Sequence, residues 1–161
     1  MVCAFTGHRP HKLPWGSDET DPRCQAVRTM IAQRLQEACD LGCREFLCGM
    51  AQGCDLIFAE AVLELRAQKP EITLTAVLPC PEQARHWPEA DRLRHGALCS
   101  RCDSRICISR TYTPDCMQRR NRAMIDRAQV LISVYDGTAS GTGSTVRYAR
   151  SRGLTILPVW L

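Results

Sequence analysis

Residues 130–145 read Val-Leu-Ile-Ser-Val-Tyr-Asp-Gly-Thr-Ala-Ser-Gly-Thr-Gly-Ser-Thr: an apolar, strand-like run from Val130 to Tyr135, then a glycine-rich turn that opens into helix-compatible sequence. A second stretch follows the same plan, with Arg44 to Leu47 leading into Cys48-Gly49-Met50-Ala51-Gln52-Gly53-Cys54-Asp55 and an amphipathic run behind it. Where a strand passes into a helix through glycines, free backbone N–H groups and the positive end of the helix dipole point at one spot. That spot favours an anion, most often phosphate. One such turn is weak evidence, because glycine also serves ordinary tight turns. Two in one short chain make a nucleotide-type ligand the leading expectation.

Working outward from these turns, hydrophobic periodicity predicts alternating strands and helices. Strands are expected at Val2–Thr6, up to Phe46–Cys48, Ile72–Leu78, Arg105–Ser109, Val130–Tyr135 and Thr155–Val159. Helices are expected at Arg23–Leu41, Asp55–Gln68, Glu82–Leu98 with an interruption at Pro88, Met117–Arg127 and Thr145–Arg152. An unbroken β/α series implies a single Rossmann-like three-layer α/β domain over residues 1–161, with a mostly parallel sheet and right-handed crossovers. In such folds ligands sit beyond the carboxyl ends of the strands, where strand order reverses. Three loops are expected at that edge: Thr6–Pro10, Gly49–Asp55 and Gly137–Thr145.

The composition, 45% hydrophobic and 24% charged over 161 residues, is that of a soluble globular chain with one substantial core. No apolar run is long enough for a membrane span and no signal-peptide pattern opens the chain, so a cytoplasmic protein without a membrane partner is expected. Eleven cysteines are many, but several lie in core-like apolar runs, which favours reduced, buried thiols over a disulfide scaffold. Cys99 and Cys102, with Cys107, Cys116 and His95 nearby, form the only metal-like spacing. No second tight pair completes it, and neither a metal site nor a cofactor is expected. The net charge of +4 is carried almost wholly by arginine, which suits two-pronged contact with phosphate.

Thr6, Gly7, His8 and Arg9 set a hydroxyl, an imidazole and a guanidinium directly after the first strand. Alone they read as surface punctuation before Pro10; beside two anion-type turns they read as ligand contacts. Asp55 opens a helix, where a carboxylate caps backbone N–H groups or accepts from ribose hydroxyls, two roles that are compatible. Three arginines crowd the start of the next helix but one, Arg119, Arg120 and Arg122, and neighbours on a helix lie about 100° apart, so at least one is a solvated charge. Trp15 and Trp87 are each as readily packing or lid residues as stacking platforms.

In order along the chain these residues resemble the SLOG superfamily, the Rossmann-like group that includes the DprA and "lonely guy" proteins, and most closely its YpsA-like branch. The resemblance rests on Thr6-Gly7-His8-Arg9-Pro10, Gly49-Met50-Ala51-Gln52-Gly53-Cys54-Asp55 with Ala59-Glu60, and Gln83 with Trp87. It continues with Arg120-Asn121-x-x-Met124-Ile125-Asp126 and Gly141-Thr142-Gly143-Ser144-Thr145-Val146-Arg147-Tyr148-Ala149. It implies a nucleotide-derived ligand held where the glycine turns meet, by Thr6, Gly7, His8, Arg9, Gly49, Gln52, Gly53, Asp55, Arg120, Asn121, Gly141, Thr142, Gly143, Ser144 and Thr145. Some relatives are phosphoribohydrolases, some sense nucleotide signals, and DprA binds single-stranded DNA; dimers are common among them, and the apolar helix Asp55–Gln68 is a candidate face for a homodimer.

The hydrolase relatives pair an arginine with a glutamate in the glycine-rich motif. Arg120 matches the first, but Arg147 stands where the glutamate is expected. Cleavage of an N-glycosidic bond develops positive charge on the ribose, which a carboxylate stabilises and an arginine opposes. Unless Asp55 or Glu60 takes that role, with Arg120, the chain is better suited to holding a nucleotide than to hydrolysing one. The alternatives are a nucleoside-monophosphate phosphoribohydrolase and a single-stranded nucleic-acid binder. A net charge of +4 beside seventeen acidic residues gives the latter thin support.

Overall fold

The computed structural model describes residues 1–161. Six strands form one all-parallel sheet: β1 (Val2–Gly7), β2 (Glu45–Cys48), β3 (Thr73–Leu78), β4 (Ser104–Cys107), β5 (Val130–Tyr135) and β6 (Thr155–Trp160). Five helices connect them: α1 (Pro22–Asp40), α2 (Cys54–Gln68), α3 (Glu89–Arg101), α4 (Cys116–Arg127) and α5 (Gly141–Ser151), with a short 3₁₀ turn at Pro10–Lys12. The strand order is β4-β3-β2-β1-β5-β6. From β1 the chain steps outward to β4, then returns past β1 to β5 and β6.

Right-handed crossovers turn this path into three layers. Steps taken in one direction put α1, α2 and α3 on one face, where α1 packs on α2 and α2 on α3; the reversed direction puts α4 and α5 together on the other. A strand buried on both faces must be apolar throughout, and all six residues of β5 are buried. The larger core lies under α1–α3 and centres on Phe5, Phe46 and Phe58, with the Phe5 and Phe58 rings stacked 4.3 Å apart. The smaller core, under α4 and α5, holds Leu47, Met124, Leu131 and Val146.

Local signals explain most element boundaries. Asp21 accepts a hydrogen bond from the Arg23 N–H at 2.8 Å, and Pro22 occupies the first helical position, where its missing donor does no harm; α1 therefore starts there. Pro88 splits the expected helix Glu82–Leu98: residues 81–87 are turns, and α3 runs from Glu89 to Arg101. β4 ends at Cys107, short of the expected Ser109. The expected start of α5 at Thr145 is also too late. Ser140 accepts from the Gly143 N–H at 3.0 Å, and this cap draws Gly141 to Ser144 into the first helical turn despite two glycines.

One further expectation changes on packing. The apolar residues of α2, including Leu56, Phe58, Val62 and Leu63, lie in the core between α1 and α3, so this helix has no apolar face left for a second copy. All eleven cysteines are unpaired and nine are buried, and no three His, Cys, Asp or Glu side chains come within metal-binding reach of one another. No helix is long and apolar enough to cross a membrane.

Candidate functional site

The sheet reverses direction between β1 and β5, and beyond their carboxyl ends lies a cleft of about 450 Å³. Its walls are the β1 end with the 3₁₀ turn, the inner side of α4 and the first two turns of α5. Eleven of the fifteen ligand-contact candidates line it: Thr6, Gly7, His8, Arg9, Asp55, Arg120, Asn121, Gly141, Thr142, Ser144 and Thr145. Four cations, Arg9, Lys12, Arg120 and Arg122, face one carboxylate, Asp55.

Arg120 is 3% exposed, yet no carboxylate lies within 4.0 Å of its guanidinium. Nε donates to Asn121 Oδ1 at 2.7 Å, Nη1 to the Gly49 carbonyl, and Nη2 to the Met117 thioether at 3.8 Å. A guanidinium carries five N–H donors, so two remain unused. Arg9 is likewise without an acidic partner; its only side-chain contact of this kind is Nη2 to the Met117 sulfur at 3.4 Å. Burial lowers the Arg120 pKa, against the opposing influence of Asp55. Burial also raises that of Asp55, against Arg120, the Ala51 N–H and Arg9. Each group has thus lost more solvation than its neighbour returns, and with four cations to one carboxylate the lining is basic.

The second glycine turn is held by its own side chains. Asp136 Oδ1 accepts from the Thr138 N–H at 3.0 Å, the Thr138 hydroxyl at 2.6 Å and His8 Nε2 at 3.0 Å. These donors keep the Asp136 carboxyl well below the usual range, the Thr138 contacts first. His8, 1% exposed, therefore fastens the β5–α5 turn to β1. Lys12 Nζ spans the same gap to the Ala139 carbonyl at 3.3 Å. With Gly143 N–H taken by Ser140 and Ser144 N–H by the Ser140 carbonyl, the N–H groups of Gly141 and Thr142 are left for a ligand at the cleft.

The first glycine turn is placed differently. Only Ala51 and Asp55 of it reach the cleft; Gly49, Gln52 and Gly53 do not line it, nor does Gly143. The Gly49 carbonyl accepts from Arg120 and, at 2.9 Å, from Gln83 Nε2. Gly53, at φ +84°, packs so closely that a Cβ would stand 2.8 Å from the His8 carbonyl. Gln52 turns away to donate to Asp91 at 2.7 Å. Asp55 accepts from the Ala51 N–H at 3.0 Å, so its carboxylate braces the turn before α2 rather than capping the helix.

Glu60 lies outside the cleft, bound to Arg94 at 2.7 Å and Arg28 at 3.3 Å in an ion-pair cluster with Glu19. Arg147 is exposed and does not line the cleft, its guanidinium lying close to Gly143, and Arg119 pairs at the surface with Asp115. Trp15 is buried away from the cleft and Trp87 packs edge-on against His95, 5.1 Å between ring centroids. Sequence reasoning missed His11, Lys12, Met117, Gln118, Ser140 and Tyr148, and set Arg122 aside. The α4 members recur on one stretch of helix beside Arg120, a periodicity that becomes informative only once α4 is known to face α5.

The parallel sheet and the basic cleft at its reversal point define a Rossmann-like three-layer protein with a ligand-sized opening in the place where such folds hold ligands. Within that class, the chain belongs to the YspA SLOG family, whose model matches residues 3–152. It is similar to the UPF0398 protein YpsA of Bacillus subtilis, 26% identical over 143 residues, covering 88% of this chain and 79% of that one. A UPF0398 protein of Bacillus cereus is 26% identical over 156 residues, covering 94% and 84%. Among solved structures, DprA of Helicobacter pylori, described with a single-stranded DNA binding mode, superposes with a TM-score of 0.66 at 18% identity, over 98% of this chain and 64% of that one. DprA of Streptococcus pneumoniae superposes at 0.61 and 16% identity, and this chain spans 49% of its length.

Proposed function

We propose that the cleft binds a phosphate-bearing, nucleotide-derived small molecule and that the protein acts as a sensor or sequestering module for it. The observation that carries this reading is the pair Arg9 and Arg120, cations without a carboxylate partner, at the rim where the Gly141 and Thr142 N–H groups are unused. A phosphate there supplies the missing counter-charge through charge-assisted hydrogen bonds, each worth about 1.5–3 kcal/mol. Thr6, Gly7, His8, Asn121, Ser144 and Thr145 also line the cleft.

A second reading, hydrolysis of the base–ribose bond, is favoured by one feature: Asp55 is a buried carboxylate at the cleft whose pKa is raised by desolvation. That is the environment of a carboxyl that handles protons. Binding is preferred because the other acidic candidate, Glu60, is engaged elsewhere and Arg147 adds no carboxylate.

Thermal-shift and calorimetric titration with nucleoside monophosphates, ADP-ribose and pyrophosphate test the first reading. Ligand at 100 times Kd stabilises the fold by about 2.7 kcal/mol. Arg9→Ala, at a partly exposed site, weakens every phosphate-bearing ligand if the reading holds; unchanged affinity overturns it. Release of free base and ribose 5-phosphate, lost in Asp55→Asn, establishes hydrolysis in its place. Retention on single-stranded DNA at physiological salt, with a steep salt slope, would instead point to the strand-binding alternative.

A further inference from the structure

Beyond the phosphate end, the cleft runs along α5 from Thr142 to Tyr148, six residues or about 9 Å of helix. Tyr148 stands at the outer end, its hydroxyl donating to Asp126 Oδ1 at 2.7 Å, so the ring has a fixed orientation. The Arg122 guanidinium lies over that ring, 5.3 Å from its centroid, and both residues line the cleft. Arg122 pairs with no carboxylate, although Asp126 is one helical turn away on the same element. The Tyr148 ring face is thus the contact that the Arg122 guanidinium makes.

We propose, resting on the reading that the inner end takes phosphate, that Arg122 and Tyr148 form a nucleobase platform at the outer end of the cleft. A tyrosine held by a hydrogen bond, with a guanidinium over its ring, presents a polarisable surface on which a purine or pyrimidine stacks. The roughly 9 Å of helix between Thr142 and Tyr148 is of the order of one sugar placed between phosphate and base. Ser144, between Thr142 and Tyr148 on α5, lines the cleft, as does Gln118 of α4. The occupant so defined is a nucleoside 5′-phosphate rather than a bare phosphate or a sugar phosphate.

The test measures, by calorimetry on the full chain, the affinities of AMP, GMP, CMP and UMP against ribose 5-phosphate. Stacking of one base is worth roughly 5- to 140-fold in affinity. At least one nucleotide is expected to bind tighter than ribose 5-phosphate by a factor in that range. Tyr148→Ala and Arg122→Lys, which keeps the charge but not the plane, should each shrink that preference several-fold while leaving ribose 5-phosphate affinity within about twofold. Tyr148→Phe should retain most of it. Equal affinity for nucleotides and ribose 5-phosphate in the unmodified protein, or a preference that survives Tyr148→Ala and Arg122→Lys, overturns the platform and leaves the phosphate site standing. Failure of every probe, pyrophosphate included, overturns the phosphate site itself.

Discussion

The two glycine-rich turns have the same sequence plan and opposite structural employment. At residues 48–55 the glycines face inward: Gly49 offers its carbonyl to Arg120 and Gln83, and Gly53 lets two backbones meet at His8. At residues 136–145 one glycine, Gly141, sits on the rim of the cleft with open space beside it, in a turn organised by Asp136 and Ser140, whereas Gly143 packs against the Thr138 carbonyl. The first turn is a bracket that holds Arg120 in place; the second borders the open cleft. Glycine between strand and helix marks a backbone that something can approach closely, and at Gly49 and Gly53 the approaching group is another piece of chain.

The largest effect expected from this contrast is on stability. Gly53→Ala forces a side chain into a positive-φ position against the His8 carbonyl and should destabilise the fold by about 2–5 kcal/mol in urea unfolding. Gly141→Ala, with nothing within 4 Å, should stay within about 0.5 kcal/mol of the parent. Comparable losses in the two variants would dissolve the distinction. Next in size is a binding effect at the bracketed residue: Arg120→Gln should weaken a phosphate-bearing ligand about 10- to 150-fold by calorimetry, the equivalent of one charge-assisted hydrogen bond. Undiminished affinity would mean that Arg120 serves only its partners within the chain, Gly49, Asn121 and Met117.

A smaller change is expected at the second turn, where Ser140→Ala removes the α5 cap and should lower stability by about 1 kcal/mol. If the N-terminal turn of α5 is part of the ligand surface, bound phosphate compensates and the loss narrows in a titrated sample.

The slightest difference carries a sign, because each turn contains one aspartate shifted the opposite way. The Asp55 pKa is raised above 3.8 by burial, so the native state holds that proton more tightly and its contribution to stability falls as pH rises above about 4. The Asp136 pKa is lowered by Thr138 and His8, so its contribution is present above 3.8 and is lost as pH falls below it. Denaturation midpoints between pH 3 and 7 should show Asp55→Asn gaining on the parent as pH rises and Asp136→Asn falling behind. Slopes of the same sign would overturn the contrast.

Much of this molecule is legible in its residues. Apolar runs separated by glycine and proline locate every strand, and the sequence-derived motifs Thr6–Arg9, Arg120–Asn121 and Gly141–Thr145 all reach the cleft, with Gly143 alone of these held back from its lining. The errors have physical causes. A Ser140 cap outweighs the low helix propensity of Gly141 and Gly143, so α5 begins four residues early. Asp91 captures Gln52, and Arg94 with Arg28 captures Glu60, by partners at least 32 residues away in the chain.

By itself the sequence determined the β/α alternation and hence the parallel sheet, because side-chain periodicity and turn chemistry are local and short connections allow only right-handed crossovers. It also placed the glycine turns and the unpaired arginines. Only the tertiary structure decided which turn borders the cleft, because that depends on β5 returning beside β1 and on α4 lying against α5. Burial and partner choice at such separations are set by packing over the whole chain, and no window of neighbouring residues contains them.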